Sequence, residues 1–126
     1  MPALPWTTIH TPDPARTYQA FATKLPLTSH RHVPGFLRDT QRIRRQLSTS
    51  DGLVGYGLLA ELGAKTFWTV SVWDDEASLR AFAAAEPHRS IMRRVPARMG
   101  ASQFHPFTVS GADLPLGWDA VKERMA

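Results

Sequence analysis

The chain has 126 residues, 43% hydrophobic and 21% charged, enough for one domain with its own core and too short for two. It contains no cysteine, which excludes disulfides, thiolate metal sites, iron–sulfur clusters and cysteine nucleophiles and fits a reducing cytoplasm. The net charge of +4 is spread along the chain, which reads as a modestly basic surface rather than a nucleic-acid footprint; no apolar stretch reaches the roughly 20 residues of a membrane-spanning helix, and the first ten residues do not read as a signal peptide.

Residues 1–15 carry Pro2, Pro5, Pro12 and Pro14, which predicts an extended leader, either lying across the domain through Trp6 and Ile9 or loose. Residues 16–126 then form a single domain with a C-terminal tail. Arg16 to Leu27 reads as the first strand, with Tyr18, Ala20 and Ala22 alternating with Gln19, Phe21 and Thr23 until Pro26 ends it. A polar connector from Thr28 to Val33 holds His30 and His32, two ligands without the spacing of a metal motif. Pro34 to Leu47 predicts a helix with Phe36, Leu37, Thr40, Ile43 and Leu47 on its apolar stripe and Arg38, Arg42 and Arg45 on the wet side.

Leu53 to Glu61 is the second strand, with glycines at 55 and 57, and Gly63 and Ala64 make a hairpin turn into the third strand, Lys65 to Trp73. That strand carries large apolar groups on both faces, so both must be covered. Two main helices cover one side; the other side predicts a second subunit, hence a homodimer. Asp74, Asp75 and Glu76 open the next helix, whose inner stripe is Leu79, Phe82 and Ala83. Pro87 breaks it, Ile91, Met92, Val95 and Met99 continue an apolar stripe on a second piece, and Gly100 stops it. Gln103 to Val109 is the fourth strand, where Pro106 predicts an edge or a bulge, and Asp119 to Met125 reads as a short closing helix. The order β-α-β-β-α-β predicts an α+β, ferredoxin-like domain with a four-stranded antiparallel sheet.

Two stretches carry a resemblance. The run from Thr69 through Trp73, Asp74, Asp75 and Glu76 to Phe82, and the segment Val33-Pro34-Gly35-Phe36-Leu37, resemble the antibiotic-biosynthesis-monooxygenase-like superfamily over about residues 16–110. Glu86-Pro87-His88-Arg89 is similar to the part of that superfamily near spheroidene monooxygenase. The resemblance implies a dimeric α+β barrel and a small oxygenase that needs no cofactor. In the quinone-forming members a strand tryptophan and a helix arginine line the pocket; they fall on Trp73 and Arg93, while an asparagine and a tyrosine fall on Thr69 and Leu79. The tryptophan and histidine of the haem-degrading members fall on Phe82 and Met92, which leaves haem only through His88 or His105.

Phe67, Thr69, Ser71 and Trp73 share one strand face by period two, and by the resemblance that face looks toward the helices and a pocket. With Phe82 they are the expected substrate wall, Trp73 offering its indole N–H as a donor. His88 and His105 are the candidates for moving a proton, His88 being kept neutral by its place at a helix start. Arg89 and Arg93, one turn apart, are the candidates for holding a substrate anion. No nucleophile elbow, phosphate loop, dinucleotide fingerprint or metal motif is present. The expected partners are a hydrophobic aromatic or polyketide-type molecule and a second copy of the chain, with no nucleic acid and no membrane. A haem-binding relative and a module that binds hydrophobic molecules unchanged stand as alternatives.

Overall fold

A computed structural model describes residues 3–94 and 99–125, with side chains from residue 6 onward; Pro2 and Val95 lie outside it. Among the described residues, one antiparallel sheet holds β1 (Ala3–Thr8), β2 (Thr17–Pro26), β3 (Leu53–Glu61), β4 (Thr66–Trp73) and β5 (Gln103–Ser110), in the spatial order β1-β3-β4-β2-β5. The helices are α1 (Val33–Leu47), α2 (Glu76–Ala84), α3 (His88–Arg94) and α4 (Trp118–Arg124). With α2 and α3 taken as one broken helix, everything between β1 and α4 follows the expected ferredoxin-like order. None of these helices is long and apolar enough to cross a membrane.

The leader is extended and joins the sheet, which changes the strand count. Residues 3–8 pair with β3, Ala3 opposite Leu59 and Thr8 opposite Gly55, so the sheet has five strands rather than four. The register shifts between Leu4 and Thr7, where Pro5 has no N–H to give. Trp6 fixes the strand. A Cβ on Gly55 would come within 2.7 Å of its indole, so the glycine at 55 is what lets the ring lie on the sheet. Pro106 sits, as expected, on an edge strand, β5.

The near face of the sheet packs on α1, α2 and α3. Leu25, Leu58 and Phe67 meet Phe36 and Ile91 at one end; Leu53 and Trp73 meet Leu47, Leu79 and Phe82 at the other. Leu37 falls on the apolar stripe of α1 by spacing but is 42% exposed, because Phe36 and Leu47 turn the helix past it. Asp75 caps α2, its carboxylate accepting the Ser78 N–H at 2.8 Å. The helix expected to run on to Met99 does not reach it as a helix. Met99 forms an antiparallel bridge with Leu27 and joins the core beside Ile91, and the Gly100 N–H donates to the Pro26 carbonyl at 2.7 Å.

The far face is covered by the chain itself. Ala22, Val70 and Val121 form a buried cluster with Trp6, Leu116, Trp118 and Met125 packed on it, and Tyr18, Val54, Val72 and Val109 form a second with Leu114 and Leu116. The cover expected from a second subunit is therefore supplied by β1 and by the segment through α4, which the count of two main helices left out. A polar clasp holds α4 down. Lys122 Nζ lies 3.2 Å from Glu61 Oε1 and 4.8 Å from the centre of the Trp68 ring, whose indole N–H donates to the same carboxylate. Burial alone would raise the Glu61 pKa, but the Lys122 ammonium and the Trp68 N–H outweigh it and hold the carboxyl below 4.5.

Candidate functional site

The near face is uneven, and the unevenness makes a cavity. Phe67 and Trp73 stand at the two ends of β4's near side. Phe67 meets Phe36 at 4.2 Å between ring centres, and Trp73 meets Phe82 at 5.1 Å. Between them lie the short side chains of Thr69 and Ser71, with Phe21 and Thr23 beside them on β2. The helices rest on the tall residues and leave a space of about 400 Å³ over the short ones. Its wall includes Tyr56 and Leu58 from β3, Ile43 and Leu47 from α1, Leu79 and Phe82 from α2, His88 and Ile91 from α3, and Phe104 from β5. Most of that surface is apolar, the character of a small-molecule site.

Its polar groups are few and mostly committed. Thr23 and Thr69 stand opposite in the sheet with hydroxyl oxygens 2.6 Å apart, so one donates to the other and one hydrogen remains to give. The Trp73 indole N–H donates to Ser71 Oγ at 2.9 Å. Trp73 is fully buried and that donor is spent within the protein, so the free donor at this point is the Ser71 hydroxyl. Thr40 turns its hydroxyl back to the Phe36 carbonyl at 2.9 Å.

His88 is positioned from three elements. Its backbone N–H donates to Gln46 Oε1 at 3.0 Å, and the Gln46 amide donates onward to the Phe82 carbonyl at 3.0 Å, tying α1 to the α2–α3 junction. His88 Nδ1 lies 3.1 Å from the Ala83 carbonyl oxygen. A carbonyl only accepts, so Nδ1 carries the hydrogen and the neutral ring keeps its lone pair on Nε2. Burial pushes the His88 pKa below 6.5, against the Ala83 hydrogen bond, which favours the cation. Burial therefore does the work that the helix start was expected to do.

Of the residues singled out in the sequence, His88, Thr69, Ser71 and Phe82 meet on this wall. Phe67 and Trp73 are fully buried behind it as its supports. Arg89 and Arg93 are exposed and lie outside the lining, since the face of α3 turned inward carries His88, Ile91 and Met92. His105 stands opposite Ala22 and packs on Phe107 at 5.7 Å, on the far face, with the sheet between it and the cavity. The structure adds Asp39, Arg44, Gln46, Tyr56 and Phe104. Arg44 had a signal: it falls four residues after Thr40 and three before Leu47, on the inward stripe of α1. Phe104 had none, because β5's partner strand fixes which of its faces looks inward. Among the described residues, no three side chains of metal-binding type come together.

Among curated protein sequences none matches this chain. Solved structures of the same fold are numerous. SnoaB from Streptomyces nogalater, described as a cofactor-independent oxygenase, is 18% identical and superposes with a TM-score of 0.61 over 75% of this chain and 94% of its own. A conserved protein of Methanosarcina mazei Go1 is 15% identical, with a TM-score of 0.65 over 71% of this chain and 90% of its own. PA3566 of Pseudomonas aeruginosa is 15% identical, with a TM-score of 0.63 over 73% and 93%. These likenesses carry the fold. The profile of the antibiotic biosynthesis monooxygenase family matches residues 30–94, from the turn before α1 through the end of α3, which spans every helix around the cavity; the chain belongs to that family.

Proposed function

We propose that this protein is a cofactor-independent monooxygenase for a hydrophobic aromatic substrate with an ionisable ring hydroxyl. The observation that carries the reading is an apolar cavity of about 400 Å³ with a histidine in its wall whose neutral form is favoured and whose Nε2 is left as an acceptor. His88 Nε2 takes the hydroxyl proton and leaves an electron-rich phenolate. The Ser71 hydroxyl and the spare hydrogen of the Thr23–Thr69 pair donate to its oxygen. The apolar wall excludes water from that anion. Dioxygen accepts electrons from the ring carbon and forms a C–O bond there, giving a hydroperoxide after proton uptake. Loss of water, with the ring C–H proton, leaves a quinone. One oxygen atom ends in the product and one in water, and the substrate supplies all four electrons. The family membership and SnoaB's description as a cofactor-independent oxygenase support the reading. It retains a homodimer and a cytoplasmic place, without the argument from an uncovered sheet face.

The test is oxygen uptake with 1,5-dihydroxynaphthalene and related naphthols, with no flavin, haem or metal added. The expected outcome is one quinone formed per dioxygen consumed, with His88→Gln lowering turnover by about 10²-fold and leaving binding intact. Saturable binding with no uptake would replace this reading with a ligand-binding module. A saturable Soret band on haemin titration would replace it with the haem-dependent one.

A further inference from the structure

The cavity holds one charged group whose partner is missing. Helix α1 turns Asp39 and Arg44 toward it as well as its apolar residues. Asp39 is only 3% exposed, and its carboxylate has two cations beside it, Arg94 at 3.5 Å and Arg42 at 4.0 Å. Arg44 is half-buried and forms no ion pair among the described residues. Its Nη1 donates to Gln41 Oε1 at 3.3 Å on the exposed side of the helix. Its Nε–H is shut off from solvent and has no acceptor. A guanidinium with a dehydrated, unpaired N–H and no carboxylate partner is costly, and an anionic oxygen held against it offsets that cost as a charge-assisted contact. Of the other titratable groups on the wall, Asp39 already has Arg94 and Arg42 beside it, and His88 is driven toward its neutral form and does not compete for an anion.

We propose that Arg44 is the anchor for an anionic oxygen of the substrate, so that the molecule this site takes is an aromatic acid rather than a neutral polycycle. The ring system lies on the apolar wall, and the carboxylate, or an equivalent acidic enol, accepts from the Arg44 guanidinium. Four arginines against a single aspartate make α1 basic, which favours capture of such an anion. The proposal rests on the cavity being the substrate site and adds the charge of what enters it.

Two probes of one shape separate the terms: 2-naphthoate, an anion, and 2-acetylnaphthalene, its neutral counterpart, titrated by tryptophan fluorescence at pH 7.5. The wild-type protein is expected to bind both and to prefer the acid. Arg44→Met is expected to weaken 2-naphthoate by about tenfold or more and leave 2-acetylnaphthalene unchanged. Its melting temperature should be unchanged or higher, because an unpaired buried donor has been removed. Arg44→Lys, which keeps the charge and loses the Nε–H, is expected to be intermediate and serves if the methionine variant does not fold. Equal weakening of both probes, or none of either, in Arg44→Met would overturn the anchor and leave the cavity reading standing. Failure of the wild-type protein to bind either probe would overturn the cavity reading and the anchor with it.

Discussion

His88 links the site's chemistry to pH through a single ring. Folding takes its imidazole out of water, which disfavours the cation, while the Ala83 carbonyl acts the other way and is outweighed. The folded pKa is thus below 6.5, and the unfolded chain takes up the proton first as pH falls. The resulting stabilisation is complete above pH 6.5 and is lost as pH drops through the folded value. NMR titration of the ring should place its midpoint below 6.5, and the acid limb of kcat/KM should follow the same midpoint. His88→Gln should reduce the loss of stability between pH 7.5 and the acid limb. A ring that titrates above 6.5 would mean that the Ala83 hydrogen bond, not burial, governs it.

At the scale of the element, β1 tests how closely one residue's size sets the sheet. A Cβ on Gly55 would overlap Trp6 at 2.7 Å, and the indole has β3 beneath it and Val121's cluster around it. Gly55→Ala should cost about 1–3 kcal/mol as an overpacking change, read as a lower urea midpoint. In a Trp6→Ala background most of that cost should vanish, because the clashing ring is gone. Equal cost in both backgrounds would place the strain in the backbone of β3 instead. Before the fold was known, this pairing could not be read. Four prolines argued for an extended leader and against a helix, and the partner for residues 3–8 lies some fifty residues away, so no local pattern names it. The helix and strand sides of the cavity were legible where the signal was local. Phe67, Thr69, Ser71 and Trp73 share a face by period two, and Asp75 caps by chemistry alone. The cavity was expected from the family resemblance alone and not from any local pattern, because it follows from a difference in height between Trp73 and Ser71 that matters only once α2 rests on one of them. Arg93 and Arg89 lie outside the lining for the same reason: their spacing puts them on one face of α3, and packing turns that face outward.

Across the whole molecule, the two sheet faces carry separate tasks, and α4 decides what the far one does. Its clusters contain Val121, fully buried, with Trp118 and Met125 beside it, and share no buried residue with the clusters behind the cavity. Val121→Asp would set a carboxylate among Ala22, Val70 and Trp6 with no partner, a state costing several kcal/mol by usual measures. Release of α4 limits that cost, since the helix can leave and carry the charge into water. The expected loss of stability is about 2–4 kcal/mol, the worth of docking one apolar residue with its neighbours. Dye binding to the exposed far face should rise, while 2-naphthoate should still bind the cavity on the other side. Light scattering then decides what covers the face. If α4 and a second copy compete for it, Val121→Asp should self-associate more strongly than the wild-type chain, because the face it exposes is the one that β4's two-sided apolar pattern says must be covered. An unchanged mass with unchanged dye binding would mean that α4 is not the cover of the far face, and that Trp6 and the segment around Leu116 suffice to close it.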